Sequence, residues 1–129
     1  MVHLKNRYFI ATAVYCMGLF WLSNQPDLAI PKVDFSGADK IAHALLFGGL
    51  AACLSIGIRL SNDKPPFWAQ WFVPFVFVIL YGMSDEWHQS FVPGRSPDLR
   101  DVMADGIGGT IAQLALFMMW GRERDDGGK

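Results

Sequence analysis

The sequence predicts an all-α membrane protein in which four transmembrane helices form a polytopic bundle. Hydrophobic residues make up 52% of the 129 residues and charged residues only 18%, which places the composition on the membrane side of the soluble average. The charges are gathered between four apolar runs, and each run is close to the roughly 20 residues that a helix needs to cross a bilayer. The length fits a single membrane domain that covers residues 1–129.

The first apolar run covers residues 8–23 and follows a short basic segment. A secretory signal peptide begins in the same way, but it ends in a cleavage site made of small residues. Here the run is followed by Asn24, Gln25, Pro26 and Asp27. We therefore expect the first helix to be retained as a membrane anchor.

The second apolar run covers residues 41–58. Ser36 and Asp39 precede it at the spacing of a capping box, in which a hydroxyl and an acid three residues apart bind the first amide groups of a helix. Small residues recur along the run at three- and four-residue spacing, and such a stripe predicts close packing against a neighbouring membrane helix. The stripe consists of Ala44, Gly48, Ala52 and Ser55.

The third and fourth apolar runs cover residues 67–83 and 102–120. Pro74 lies within the third run, where a membrane helix tolerates proline if neighbouring groups satisfy the freed carbonyl. Asp105 interrupts the fourth run with a charge. Residues 121–129 form a charged tail, which we expect to be disordered.

The basic residues predict the orientation, because they favour the cytoplasmic side of a membrane. With four spanning helices, both termini and the turn at residues 59–66 share one side. Seven basic residues lie on that side and four on the other. The seven are Lys5, Arg7, Arg59, Lys64, Arg122, Arg124 and Lys129, and the four are Lys32, Lys40, Arg95 and Arg100. We therefore predict a multi-pass protein of the cytoplasmic (inner) membrane with both termini in the cytoplasm.

The polar stretch at residues 81–105, between the third and fourth runs, is the predicted functional site. Ionisable groups at the edge of a hydrocarbon layer are costly unless they pair or line a wet cavity, and a simple connector does not need them. In the predicted topology, the start of the second helix lies at the same outer surface. The residues predicted to bind a ligand there are Asp39, Lys40, His43, Asp85, Glu86, Gln89, Arg95, Asp101 and Asp105.

Most of these residues also have a structural explanation. Asp39 serves equally as the acid of the capping box, and Asp98 or Asp101 as the N-cap of the fourth helix. Lys40 and Arg95 are typical of long basic side chains that extend to the membrane interface.

Asp105 is harder to explain structurally, because it lies past the first turn of an apolar helix. A carboxylate there needs a partner, and the candidates are Lys40, Arg95 and His43.

The sequence indicates no cofactor, no metal and no nucleic-acid partner. The net charge is -1, and no basic stripe interleaved with aromatic residues is present. No metal-binding spacing such as His-Glu-x-x-His supports a metal site. The expected partners are membrane lipids, and the oligomeric state is left open.

Three motifs of the predicted site are specific enough to compare with known families. They are Asp39-Lys40-x-x-His43, then Ser84-Asp85-Glu86-x-His88-Gln89-x-Phe91-Val92-Pro93-Gly94-Arg95, and finally Asp98, Asp101-Val102 and Asp105 with Gly109 beyond. Together they resemble the motifs of the VanZ-like membrane proteins, and the resemblance covers roughly residues 8–120. The second motif is long and specific, whereas the first alone is weak.

The resemblance implies a small multi-helix protein of the bacterial cell membrane. The founding member of that family is associated with low-level resistance to teicoplanin, by a route that does not remodel the terminus of the cell-wall precursor. From the resemblance we expect the family to carry Asn as often as Asp where this chain has Asp105. That alternation implies that the position needs a polar group more than a charge.

Three functional interpretations are open at this point. In the first, an outward-facing pocket binds a polar or anionic envelope molecule, such as a lipid head group, a lipid-linked precursor or a glycopeptide, with Lys40 and Arg95 on the anion. In the second, the protein is a membrane-embedded hydrolase or transferase that acts on a lipid-linked substrate. In the third, it is a structural or partner-scaffold protein. The candidate catalytic residues of the second interpretation are Glu86, Asp85, His43 and His88.

Overall fold

The computed structural model describes residues 3–26, 37–61 and 65–126, and within these ranges it contains four α helices and no strand. The helices are α1 (His3–Ser23), α2 (Ala38–Arg59), α3 (Phe67–Gln89) and α4 (Leu99–Asp126). By length and composition, α2, α3 and the Leu99–Gly121 part of α4 are apolar enough to cross a membrane. The predicted all-α bundle of four helices is confirmed, and three of the four are shown to be apolar enough to span a membrane.

Helix α1 lies along the full length of the bundle, and its first turns carry polar and basic residues. Tyr8 packs against Gly57 near the end of α2, and Phe20 stacks on His88 near the end of α3, with ring centroids 4.4 Å apart. The outward face of α1 is apolar and suited to contact with lipid chains. Its exposed residues include Phe9, Ile10, Val14, Met17, Phe20 and Trp21.

Two tyrosine hydroxyls bind α1 to its neighbours. The Tyr15 hydroxyl donates a hydrogen bond to the Leu46 carbonyl oxygen of α2 at 2.7 Å. The Tyr81 hydroxyl of α3 donates to the Cys16 carbonyl oxygen at 2.6 Å. Each hydroxyl thus finds an acceptor in a region where an unpaired polar group would be costly.

Helices α2 and α4 run parallel and their backbones touch. A Cβ atom added at Gly108 would lie 1.9 Å from the Ala44 carbonyl oxygen, and one added at Gly48 would lie 3.0 Å from the Gly108 carbonyl oxygen. The close packing predicted from the small-residue stripe of α2 is therefore confirmed at Ala44 and Gly48. This contact holds the first turns of α2 and α4 side by side.

The first turn of α2 differs from the prediction. Gly37 is the N-cap residue, with a left-handed φ of 97°, and no side chain caps the helix. The predicted capping box needs Ser36 in that place, so it does not define this helix start, and Ser36 itself lies outside the described residues. Glycine takes the position because a positive φ costs it little.

Helices α3 and α4 are longer than their apolar runs. Helix α3 continues from residue 83 to Gln89, and α4 begins at Leu99 and continues to Asp126. The expected disorder of the tail is therefore wrong for residues 121–126, while residues 127–129 lie outside the described part of the chain. Glu and Arg are good helix formers, and a polar segment that follows an apolar helix extends it at little cost.

Candidate functional site

Polar residues from three helices are buried together at one end of the bundle. His43 from α2, Glu86 from α3, and Asp101 and Asp105 from α4 are all less than 9% exposed. The parallel packing of α2 and α4 places their first turns side by side, and the end of α3 lies next to them. The polar cluster is therefore built where these three helix ends meet.

Lys40 joins the first turn of α2 to the first turn of α4. Its ammonium nitrogen lies 2.9 Å from Asp98 Oδ2 and 3.5 Å from Asp39 Oδ2, and it also donates to Asp101 Oδ1. The hydrogen bond from Lys40, together with the backbone N–H of Arg100, lowers the pKa of Asp98 below its ordinary value. Lys40 is thus surrounded by carboxylates.

Asp98 has a second role as the N-cap of α4, as predicted. Its Oδ1 accepts a hydrogen bond from the backbone N–H of Arg100 at 2.9 Å. Its own backbone N–H donates to Glu86 Oε2 at 2.7 Å. Glu86 therefore fixes the start of α4 from the end of α3, a role that its sequence motif does not reveal.

His43 is the partner that Asp105 requires. Nδ1 of His43 lies 2.9 Å from Asp105 Oδ1, and Asp105 is fully buried. A carboxylate oxygen accepts hydrogen bonds, so Nδ1 is the ring nitrogen that faces Asp105, and Nε2 lies on the other side of the ring. That nitrogen faces Asp101 Oδ2 at 3.6 Å, which is too long for a hydrogen bond.

Gly82 makes room for the second oxygen of Asp105. A Cβ atom added at Gly82 would lie 2.4 Å from Asp105 Oδ2, so any larger residue there would displace the carboxylate. Among the described residues, this oxygen has no hydrogen-bond partner. The glycine is a part of the site that sequence inspection missed, and only the contact across helices reveals it.

The remaining predicted residues lie beside this cluster without a bond to it in the described chain. Gln89 donates to Asp85 Oδ2 at 3.0 Å within α3. His88 packs on Phe20 of α1. Arg95 is half-exposed in the turn after Gly94, whose φ is 79°, and among the described residues no hydrogen bond or ion pair holds its guanidinium.

One group of side chains has the geometry of a metal-ligand set. The possible ligand atoms of Asp39, His43 and Asp101 all lie within 4.8 Å of one another. Asp101 and His43 are buried, whereas Asp39 is exposed. The set therefore opens toward the solvent side of the helix ends.

The comparison with known families agrees with these motifs. The VanZ/LLP1 family model matches residues 4–120, which is most of the chain and includes all four helix cores. The chain belongs to the VanZ/LLP1 family. No curated protein and no solved structure shows significant similarity to it.

Proposed function

We propose that the protein binds a polar or anionic head group of a membrane lipid, or of a lipid-linked envelope molecule, at the buried polar cluster. The proposal is carried by the position of this cluster, where Lys40, His43, Glu86, Asp101 and Asp105 meet at the ends of apolar helices. Buried ionisable groups in a membrane bundle are costly and mark functional sites by default. A head group lies at the depth where helix ends meet water.

Arg95 is the side chain best placed to contact an anion. Lys40 already lies among Asp39, Asp98 and Asp101, so an anion there would have to compete with three carboxylates. The guanidinium of Arg95 has no such partner among the described residues, and its planar fork matches a phosphate or carboxylate. The anion is therefore expected at the rim formed by the α3–α4 turn.

The carboxylates of the cluster can bind the hydroxyl or ammonium groups of a polar head group. Oε1 of Glu86 is buried and has no hydrogen-bond partner among the described residues, and carboxylate oxygens accept from hydroxyl or ammonium groups. A head group that carries hydroxyls beside a phosphate would satisfy both kinds of residue. We therefore expect phosphatidylglycerol to be a better probe than phosphatidylcholine.

Arg95→Ala tests the anion contact, with Arg100→Ala as its matched control. Arg100 is exposed in the first turn of α4, so it offers the same charge at the same end of the bundle without belonging to the predicted set. We expect Arg95→Ala to weaken phosphatidylglycerol binding about 10- to 100-fold, since a hydrogen bond to a charged group contributes about 1.5–3 kcal/mol. Native mass spectrometry of the purified chain measures the binding.

Folded Arg95→Ala protein that binds phosphatidylglycerol as the wild type does would remove Arg95 from the site. Equal losses in both variants would show that only the general charge of this surface matters. In either case the proposed anion contact is wrong.

A hydrolase is the second candidate, and the His43–Asp105 pair favours it. A carboxylate on Nδ1 orients an imidazole so that Nε2 is free to take a proton from water or a hydroxyl. Glu86 supplies a second group for proton transfer. Incubation with lipid-linked phosphates, followed by mass spectrometry, should then show product with the wild type and none with Glu86→Gln.

The cellular setting forms part of the proposal. The basic residues favour a bacterial cytoplasmic membrane with both termini in the cytoplasm, which turns the polar cluster outward. Because the chain belongs to the VanZ/LLP1 family, a contribution to teicoplanin resistance is part of the proposal. If the cluster serves it, Arg95→Ala should lower the resistance of expressing cells, while Arg100→Ala should not.

A further inference from the structure

We infer that Asp39, His43 and Asp101 form a binding site for a divalent transition-metal cation, of which Zn²⁺ is the best probe. The three residues offer one nitrogen and two carboxylate oxygens, all within 4.8 Å of one another. Zn²⁺ accepts this donor set, and three protein ligands with one open position are the pattern of a site that also binds a substrate or water.

The distance between His43 and Asp101 fits two ligands of one ion. Nε2 and Oδ2 are 3.6 Å apart, whereas a direct hydrogen bond would bring them to about 2.9 Å. Two ligands at about 2.1 Å from Zn²⁺ in a tetrahedral site lie about 3.4 Å from each other. The observed separation therefore leaves the space that a metal ion needs.

The orientation of His43 is the second observation. Nδ1 lies 2.9 Å from Asp105 Oδ1, so Nε2 is the ring nitrogen that faces the Asp101 carboxylate. Metal-binding histidines almost always donate their other ring nitrogen to a carboxylate in this way, which makes Asp105 the positioning residue.

The charge balance of the cluster also calls for a cation. Within the described part of the chain, Lys40 is the one lysine of the cluster, while Asp39, Asp98, Asp101 and Asp105 supply carboxylates. Glu86 adds another, and its Oε1 is buried with no hydrogen-bond partner among the described residues. Neighbouring carboxylates repel one another, most strongly where they are buried, as Asp101 and Asp105 are, and a divalent cation offsets that repulsion.

Lys40 and the cation use different oxygens of Asp101. The ammonium group binds Oδ1, whereas Oδ2 is the oxygen that faces His43. A single carboxylate can therefore hold the lysine on one side and the metal ion on the other. The lysine fixes the position of this ligand before the ion arrives.

The test measures Zn²⁺ bound to the purified full chain, without added lipid, by chelator stripping, equilibrium dialysis and elemental mass spectrometry. We expect one Zn²⁺ per chain for the wild type and none above background for His43→Gln. His88→Gln is the matched control, because His88 packs on Phe20 outside the cluster, and it should bind as the wild type does. Asp105→Asn keeps a hydrogen-bond acceptor for Nδ1 but loses the charge, so its affinity should fall about 10- to 100-fold.

Asp39→Asn separates loss of Zn²⁺ binding from loss of folding. Asp39 is exposed, so its replacement leaves the buried contacts in place. It should retain the helical circular dichroism and the melting temperature of the wild type while it binds Zn²⁺ more weakly. Folded wild-type protein without bound Zn²⁺ would overturn the inference. So would equal binding by the wild type and His43→Gln, or equal losses in His43→Gln and His88→Gln.

A cation bound here would also contact the phosphate of a head group. This step rests on the proposed function, whereas the Zn²⁺ measurement is independent of it. Phosphatidylglycerol binding should then fall when chelator is added. Zn²⁺ binding without any lipid binding refutes the head-group proposal alone. Lipid binding without any Zn²⁺ binding refutes the cation site alone.

Discussion

The two ends of the bundle hold the same helices together with different chemistry. At the polar end, α2 meets α4 through the partly buried pair Lys40–Asp101 and the buried pair His43–Asp105. At the opposite end, α2 meets α4 through the Arg59 guanidinium, which lies 4.0 Å from the centre of the Trp120 ring. One contact is an ion network and the other a cation–π contact.

Aromatic side chains of α3 and α4 also pack together at the opposite end. The Phe117 ring of α4 meets Phe67 and Trp71 of α3 edge-on, with centroids 5.6 and 5.8 Å away. A groove of about 400 Å³ lies between α3 and α4 there. Its lining consists of Trp68, Trp71, Phe72, Phe75, Thr110 and Gln113.

The difference between the ends shows that these helices do not need buried charges in order to pack. Aromatic contacts suffice at one end, and apolar residues often replace a buried ion pair elsewhere without loss of stability. The ion network is therefore not required for helix association alone, and the proposed binding of a head group or a cation would account for it.

We expect the largest effect on stability from replacing a glycine of α4 near the polar end. A glycine at the opposite end of the same helix is its control. Gly108→Ala would place a Cβ atom 1.9 Å from the Ala44 carbonyl, whereas Gly121→Ala meets nothing within 4 Å. We expect the first to lower the free energy of unfolding by about 3 kcal/mol and the second to raise it by up to about 1 kcal/mol, because alanine is the better helix former. Thermal unfolding in detergent measures both, and equal stabilities would contradict the close α2–α4 contact.

A smaller effect should separate the two cations that join α2 to α4. Lys40→Met leaves the buried Asp101 carboxylate without its ammonium partner, and because Lys40 is about one-third exposed we expect a loss of about 2 kcal/mol. Arg59→Met removes a cation–π contact of about 0.5–1 kcal/mol. The same unfolding assay ranks the two variants. A larger loss for Arg59→Met would reverse the comparison between the ends.

The smallest effect is the response of the polar end to acid. The pKa of Asp98 is lowered in the folded protein, so its ionised form stabilises the fold at pH values above the ordinary Asp pKa of about 3.9. That contribution is lost as the pH falls through the lowered folded pKa. Asp98→Asn should flatten the acid limb of a plot of melting temperature against pH, and an unchanged limb would contradict the lowered pKa.

Hydrophobic patterning predicts most of the fold. Four apolar runs give the four helices, and the small residues at Ala44 and Gly48 predict the close contact. The helix ends could not be predicted in the same way, because polar residues such as Gln89 extend a helix as readily as they end it. Residues 121–126 are likewise polar and helical, although their charges led us to expect a disordered tail.

The site was only partly predictable. Spacing along each helix places Asp98, Asp101 and Asp105 on one face, and topology brings that face to the start of α2. Pairing across helices depends on how closely individual side chains of different helices approach, which the spacing along one helix does not encode. The choice of His43 over Arg95 as the partner of Asp105, and the space made by Gly82, therefore emerged only from the structure.

The central claim is that the polar end of the bundle faces the outside of the cell, and cysteine labelling tests it directly. Ser96 lies in the α3–α4 turn and Leu60 lies after α2, and both are exposed. Single cysteines at these positions, in a chain whose Cys16 and Cys53 are replaced by Ala, would be treated with an impermeant maleimide on intact cells. We predict labelling of Ser96→Cys and none of Leu60→Cys. Labelling of Leu60→Cys alone would place the site in the cytoplasm and contradict the claim.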